Sequence, residues 1–150
     1  MASGPFELQL AKFAEKAGAN ARTVVRKVSI DLLSAIVLRT PVGNPSLWKS
    51  KPPAGYVGGR LRANWSVSVG VSNFAVSTRI DKSGQPTIDR GSAVILSSDV
   101  QRGVYIMNSL PYVREVEYEG HSKQAPAGMV RITVTEFQAF VNKAVAELPK

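Results

Sequence analysis

GVYIMNSLPYVREVEYEGHSKQAPAGMVR, residues 103–131, passes through every kind of local structure the chain uses. Val104-Tyr105-Ile106-Met107 reads as a short apolar strand, extending to Asn108. Asn108-Ser109 breaks it, and Leu110-Pro111 turns the chain. One to two turns of helix follow, holding Tyr112, Val116 and the acidic run Glu115, Glu117, Glu119. A Gly-His-Ser-Lys-Gln loop leads to Pro126. Proline starts a helix well, because its missing N–H would have no partner in a first turn.

Upstream, Pro5 to Arg39 reads as one long helix. Leu10, Phe13, Ala17, Ala21, Val24 and Val28 recur at spacings of three and four and share a face. From Ile30 to Leu38 apolar residues surround the helix, the mark of a buried one. Gly18-Ala19-Asn20 is a weak point. Thr40-Pro41 ends the helix, since the residue before proline disfavours helical geometry. Val42–Gly58 is a loop with three prolines, Trp48, Lys49, Lys51 and Tyr56. A loop this long in a compact domain is usually functional or partly disordered.

Arg60–Gly70 starts the sheet, with Trp65, Val67 and Val69 alternating against Asn64, Ser66 and Ser68. Phe74–Ile80 continues it, with Phe74, Val76, Thr78 and Ile80 on one side. Asp81–Pro86 is a turn-rich break. Ile88–Val100 fits a buried strand or a helix. Pro126–Leu148 is a second long helix, with Val130, Val134, Phe137, Phe140 or Val141, and Ala144 or Val145 inward. Its Ile132–Thr135 run is a poor helix former, so a strand ahead of the helix stays open there. The sum is one α+β domain over residues 1–150, an antiparallel sheet packed against two long helices. The expected core is Val28, Leu32, Ile36, Trp65, Val67, Ile106, Tyr112, Val134 and Phe137.

Composition narrows the function. The apolar fraction of 44% suits a globular protein. No apolar run approaches the ~20 residues of a membrane helix, and the N-terminus lacks a secretory pattern. Without cysteine there is no disulfide and no thiolate metal site. The expected location is the interior of a cell, or a particle assembled there. The net charge of +8 is uneven: residues 1–65 hold ten Lys/Arg against three acids, and the remainder is nearly balanced. That favours an anionic or acidic partner for the first half.

Catalytic chemistry finds little purchase. The single histidine, His121, lies beside Ser122 in a loop without a third partner, which makes neither a triad nor a metal cluster. Gly58-Gly59-Arg60 lacks the spacing of a nucleotide-binding loop. Trp48 and Tyr56 with Lys49 and Lys51 fit base stacking, or a protein interface anchored by aromatics; Leu47 and Val57 beside them favour the interface. Glu115, Glu117 and Glu119 fit a solvated acidic patch or a docking patch for a neighbour's basic residues, ahead of a cation site on a strand or loop. The expected protein is therefore not an enzyme and takes no cofactor.

The pattern YI-x-N-x-LPY…E-x-x-G-x-S-x-QAP-x-GMVR resembles the tail-completion, or neck, proteins of long-tailed bacteriophages. Thr40-Pro41-Val42 and Gly59-Arg60-Leu61-Arg62-Ala63-Asn64-Trp65 extend the likeness, which spans roughly residues 20–145. Family members usually join those two segments by a shorter link, so residues 43–58 depart from the pattern. The resemblance favours a helix for Ile88–Val100. It implies a structural virion protein at the head–tail junction, assembled in the host cytoplasm. Such proteins form a ring, usually of six copies, capping the tail tube and joining it to the head connector or stopper. Genomic DNA passes through the lumen without sequence readout, and no membrane is involved. The residues here that suit subunit or partner contacts are Trp48, Tyr56, Arg60, Arg62, Tyr112, Glu115, Glu117 and Glu119. Lys49, Lys51, Arg22 and Arg26 suit DNA phosphates. The alternative is a basic, non-sequence-specific nucleic-acid-binding module using the Arg22-Arg26-Lys27 helix face and the aromatic loop.

Overall fold

The computed structural model describes residues 20–149. The expected helix from Pro5 to residue 19, with Leu10, Phe13 and Ala17, lies outside them. The described chain mixes helix with one two-stranded antiparallel sheet. Its elements are α1 (Ala21–Arg39), a 3-10 turn (Pro45–Leu47), α2 (Arg60–Ala63) and β1 (Ser66–Val69). Then come α3 (Gln85–Ser97), a second 3-10 turn (Val100–Arg102), β2 (Val104–Met107), α4 (Val113–Tyr118), α5 (Val130–Val134) and α6 (Phe137–Ala146).

Helix α1 is the axis of the molecule because it has two apolar stripes. Val24, Val28 and Leu32 pack with Phe137, Val141 and Ala144 of α6. Val25, Leu33, Ile36 and Val37 join Leu61, Trp65, Ile88, Ile95, Leu110, Val116 and Met129 in a second cluster. A helix apolar on most sides buries most sides. Ile106 of β2 touches both clusters and links them.

The sheet pairs Val67 with Ile106 and Ser68 with Tyr105. Its apolar face rests on α3, where Gly91 lets the helix close in. A Cβ at Gly91 would lie 2.4 Å from Leu33 Cδ2 and 2.7 Å from Val67 Cγ2. The ambiguous stretch around Ile88–Val100 is this helix. It is capped by buried Asp81, which accepts from the Gly84 N–H at 2.7 Å and from the Thr87 N–H at 2.9 Å. These bonds satisfy donors that a first helical turn leaves free.

Four expectations need correction. Arg60–Ala63 is a helical turn rather than the start of a strand. Gly59 opens it at φ +108°, pressed against the Asp81 backbone, and the Asn64 side chain donates to Arg60 O at 2.8 Å and closes it. Phe74–Ile80 forms no strand. Its Ser77 peptide is bonded in both directions by the Asn64 amide, at 2.8 and 3.1 Å, so a side chain takes the place of a β1 backbone partner.

The C-terminal helix begins at Val130 and is divided at Thr135-Glu136. Its inward face is Met129, Thr133, Phe137 and Val141, which leaves Val134 47% exposed. Threonine can hold the inward position because its hydroxyl donates to Met129 O at 2.7 Å and accepts from Arg39 at 2.9 Å. Tyr112, expected in the core, is 38% exposed at the cap of α4. Of the other expected core residues, Val28, Leu32, Ile36, Trp65 and Phe137 are buried, and Val67 and Ile106 are partly buried against the core.

Candidate interaction surface

Tyr56, Arg60 and Tyr112 come from distant parts of the sequence and share one surface. Burial pushes the Tyr112 hydroxyl above its ordinary range; the Arg60 guanidinium opposes that shift and Tyr56 adds to it. Both neighbours are therefore within electrostatic reach of the phenol. Trp48 continues the patch, its ring 4.7 Å from that of Tyr56 at an interplanar angle of 54°. All four side chains are exposed. Aromatics and arginine are the residue types that carry most interface energy.

Local chemistry sets the loop that presents Trp48 and Tyr56. Asn44 accepts from the Ser46 N–H at 3.1 Å and caps the 3-10 turn, with Pro45 at its first position. Tyr56 lies over Gly43, where any Cβ would meet its hydroxyl. The Gln124 amide accepts from Val42 N–H at 3.3 Å and donates to Val42 O at 3.1 Å. This ties the loop to the Gln-Ala-Pro segment. An open groove of about 510 Å³ lies beside Tyr56, lined by Val42, Pro45, Val57, Lys82 and Gln124.

The acidic run divides. Glu115 and Glu119 are exposed, whereas Glu117 is buried. The Glu117 carboxylate accepts from the N–H groups of Met129, Val130 and Arg131 at 2.7, 3.0 and 2.9 Å. It caps α5 from a distance, and Arg131 adds an ion pair at 3.4 Å. Burial alone would raise its pKa. The three backbone donors and the Arg131 charge outweigh that and hold it below the ordinary carboxylate value. Arg131 also bonds Glu117 O and lies over the Tyr118 ring at 5.0 Å. Glu117 is thus not part of an outward docking patch.

Arg62 turns inward as well. It donates to Thr40 O at 2.7 Å and to Leu38 O at 3.3 Å, covering carbonyls that the end of α1 leaves unpaired, and it also bonds Lys82 O. Burial lowers its pKa, with Asp81 opposing. Arg60 and Arg62 therefore do not point to the same side.

The residues expected to meet DNA also split. Lys49 and Lys51 are exposed in the aromatic loop. Arg22 is exposed and donates to Gln101 at 3.3 Å. Arg26 is partly buried and bonds Ser98 O at 3.2 Å, which commits it to the fold.

Two features escaped the sequence reading. One is the ion pair of Arg39 with Glu136, in which one guanidinium nitrogen donates to both carboxylate oxygens at 2.8 Å and which spans α1 and the α5–α6 junction. No local pattern announces it. The other is Asp81, whose placement three residues before Gly84 and ahead of Pro86 was a readable capping signal. His121 is exposed. Among the described residues no group of three His, Cys, Asp or Glu is placed to hold a metal ion, and no helix is long and apolar enough to cross a membrane. Compared with known proteins, the chain matches no family model, no curated protein and no solved structure.

Proposed function

We propose that this protein is a structural subunit of a phage virion. In this reading its copies form a ring, of six, at the head–tail junction. The ring completes the tail tube and joins it to the head connector, with DNA in the lumen. A sheet with long helices at both ends of the chain, and a 43–58 loop reaching to neighbours, are the finer features that go with it.

The observation that carries the proposal is the exposed cluster of Trp48, Tyr56, Arg60 and Tyr112. It gathers two segments that resemble neck proteins, around Arg60 and around Tyr112, onto one outward surface. A ring closes by joining two unlike faces of each subunit. The aromatic-arginine cluster supplies one, and the exposed carboxylates of Glu115 and Glu119 offer charge for the other to meet. The lumen would be served by Lys49, Lys51 and Arg22, which contact phosphates without reading bases.

Lys49 and Lys51 beside the Trp48–Tyr56 pair also favour the second reading, a non-specific nucleic-acid-binding module. Native mass of the purified chain, alone and with tail-tube protein, separates the two. A closed ring supports the virion subunit. A monomer that retains DNA tightly at physiological salt supports the module and removes the first reading.

A further inference from the structure

Residues 72–80 run without helix, turn or bend and belong to no strand. The N–H groups along one edge of this segment are satisfied, two by side chains of the segment itself and two by Asn64 and Gly59 outside it. The N–H groups of Ala75, Ser77, Arg79 and Asp81 are taken by Asn73 Oδ1, Asn64 Oδ1, Ser77 Oγ and Gly59 O. Ser77 O accepts from Asn64 at 3.1 Å and from Arg60 at 3.4 Å. Among the described residues, the N–H and C=O groups of Phe74, Val76, Thr78 and Ile80 have no partner. Backbone polar groups alternate in direction along an extended chain, so a bare edge is the other half of a fastened one.

The same residues carry the apolar face. Phe74 is 70% exposed, Ile80 52% and Val76 46%. A free hydrogen-bonding edge with an apolar face is a template for another strand.

We infer that Phe74–Ile80 pairs antiparallel with the same segment of a second copy, about a two-fold axis at Ser77. The pattern is self-complementary in that register. Phe74 falls opposite Ile80 of the copy, and Val76 falls opposite Thr78, each a pair that exchanges the free N–H and C=O groups. The apolar residues then lie side by side on one face. Arg79, the only charge between Val71 and Ile80, falls opposite Ala75. Parallel pairing in register would set Arg79 against its own copy, and like charges directly opposite destabilise a sheet. A foreign strand would have to match this spacing; a second copy already has it. The contact is isologous, whereas ring closure uses unlike faces. The inference therefore does not depend on the ring reading.

The test uses the full chain. Thr78→Pro removes an N–H that the single subunit leaves unbonded, so it blocks the ladder and spares the fold. The chain has no cysteine, so Ser77→Cys introduces a single thiol at the axis. Residue 77 meets its copy there as a non-hydrogen-bonded pair, with Cα atoms about 4.5 Å apart, inside disulfide range. Ser72→Cys, roughly 30 Å from its copy in this register, is the control.

The expected result is that Thr78→Pro halves the native mass across the micromolar range with unchanged thermal unfolding. Under mild oxidation Ser77→Cys should crosslink and Ser72→Cys should not. Wild-type mass in a folded Thr78→Pro variant overturns the pairing, and so does an uncrosslinked Ser77→Cys. The crosslink decides alone if the proline variant does not fold. A ring that persists in Thr78→Pro, with Ser77→Cys uncrosslinked, removes the strand pair and leaves the ring. A crosslinked dimer that never closes into a ring removes the ring alone.

Discussion

The indole N–H of Trp65 donates to the Thr40 hydroxyl at 2.7 Å, and Thr40 donates in turn to Ile36 O at 2.7 Å. Both residues are buried, so the end of α1 and the approach to β1 are joined by a relay closed off from water. Thr40→Val keeps the shape and removes the acceptor. The buried Trp65 N–H is then unpaired, which costs about 1–3 kcal/mol. Denaturant unfolding should show that loss, and Thr40→Ser should recover most of it.

Glu117 makes stability depend on acid. Its folded pKa lies below the ordinary value of 4.5. A depressed carboxylate contributes fully above the unfolded value, and the contribution is lost as pH falls toward the folded one. Asp81 acts in the same direction. Burial would raise its pKa, but bonds from Thr87, Gly84 and Ser83 hold it below 3.8. Unfolding free energy should therefore be flat above pH 4.5 and fall below it. Glu117→Gln should lower the plateau and flatten the acid slope. An unchanged slope would show that folding does not lower the Glu117 pKa.

Where the sequence was legible, local pattern carried the information. The α1 face follows from spacing, the strand at Val104 from a short apolar run, and a proline marks where α1 stops. What was not legible depends on side chains replacing backbone. Phe74–Ile80 has a strand's alternation, but Asn64 occupies the Ser77 peptide where β1 would bond. Thr133 looks like a poor helix residue, yet Met129 O and Arg39 satisfy its hydroxyl in the core. Glu117 and Arg62 look like surface charges, and each caps a helix far away in sequence. Of the candidate surface, composition identified Trp48, Tyr56, Arg60 and Tyr112; their meeting on one side is tertiary and has no sequence signal.

Gly91 sits inside α3, where alanine is normally better by about 0.8–1.0 kcal/mol. The close approach of Leu33 and Val67 reverses the sign. Leu33 is fully buried, so a shift of its side chain must displace core neighbours. Gly91→Ala should destabilise by about 1–3 kcal/mol, as overpacking does. Leu33→Ala added to it should recover part of the loss, and a thermal-shift comparison of the double variant with each single one measures that coupling.

Ile106 bridges the two core clusters. Ile106→Ala should cost about 2–5 kcal/mol in urea unfolding. A cost near zero would mean that the clusters hold independently and that β2 is only laid upon them.

The ring reading requires a pair of unlike faces, and the structure changes which charges can test it. Glu117→Arg would strip the cap from α5 and Arg62→Glu would strip the end of α1, so either reversal should unfold the chain whatever its assembly. Glu115 and Glu119 are exposed, and Arg60, also exposed, makes only a long side-chain bond to Ser77 O at 3.4 Å, so reversing them leaves the helix caps intact. Glu115 and Glu119 stand four residues apart and face one side. Arg60 lies within electrostatic reach of Tyr112, and arginine binds carboxylates through two parallel bonds. Glu115→Arg with Glu119→Arg should abolish the ring and leave a subunit with wild-type thermal unfolding. Arg60→Glu should do the same. Each variant is then defective on one face only, so mixing the two restores the wild-type contact between Arg60 of one and Glu115/Glu119 of the other, and allows a second contact of reversed polarity. Native mass spectrometry of the mixture should show hetero-oligomers that neither variant forms alone. Rings that survive the Glu115/Glu119 reversal would remove these carboxylates from the interface. A mixture that stays monomeric would show that the two faces do not meet each other.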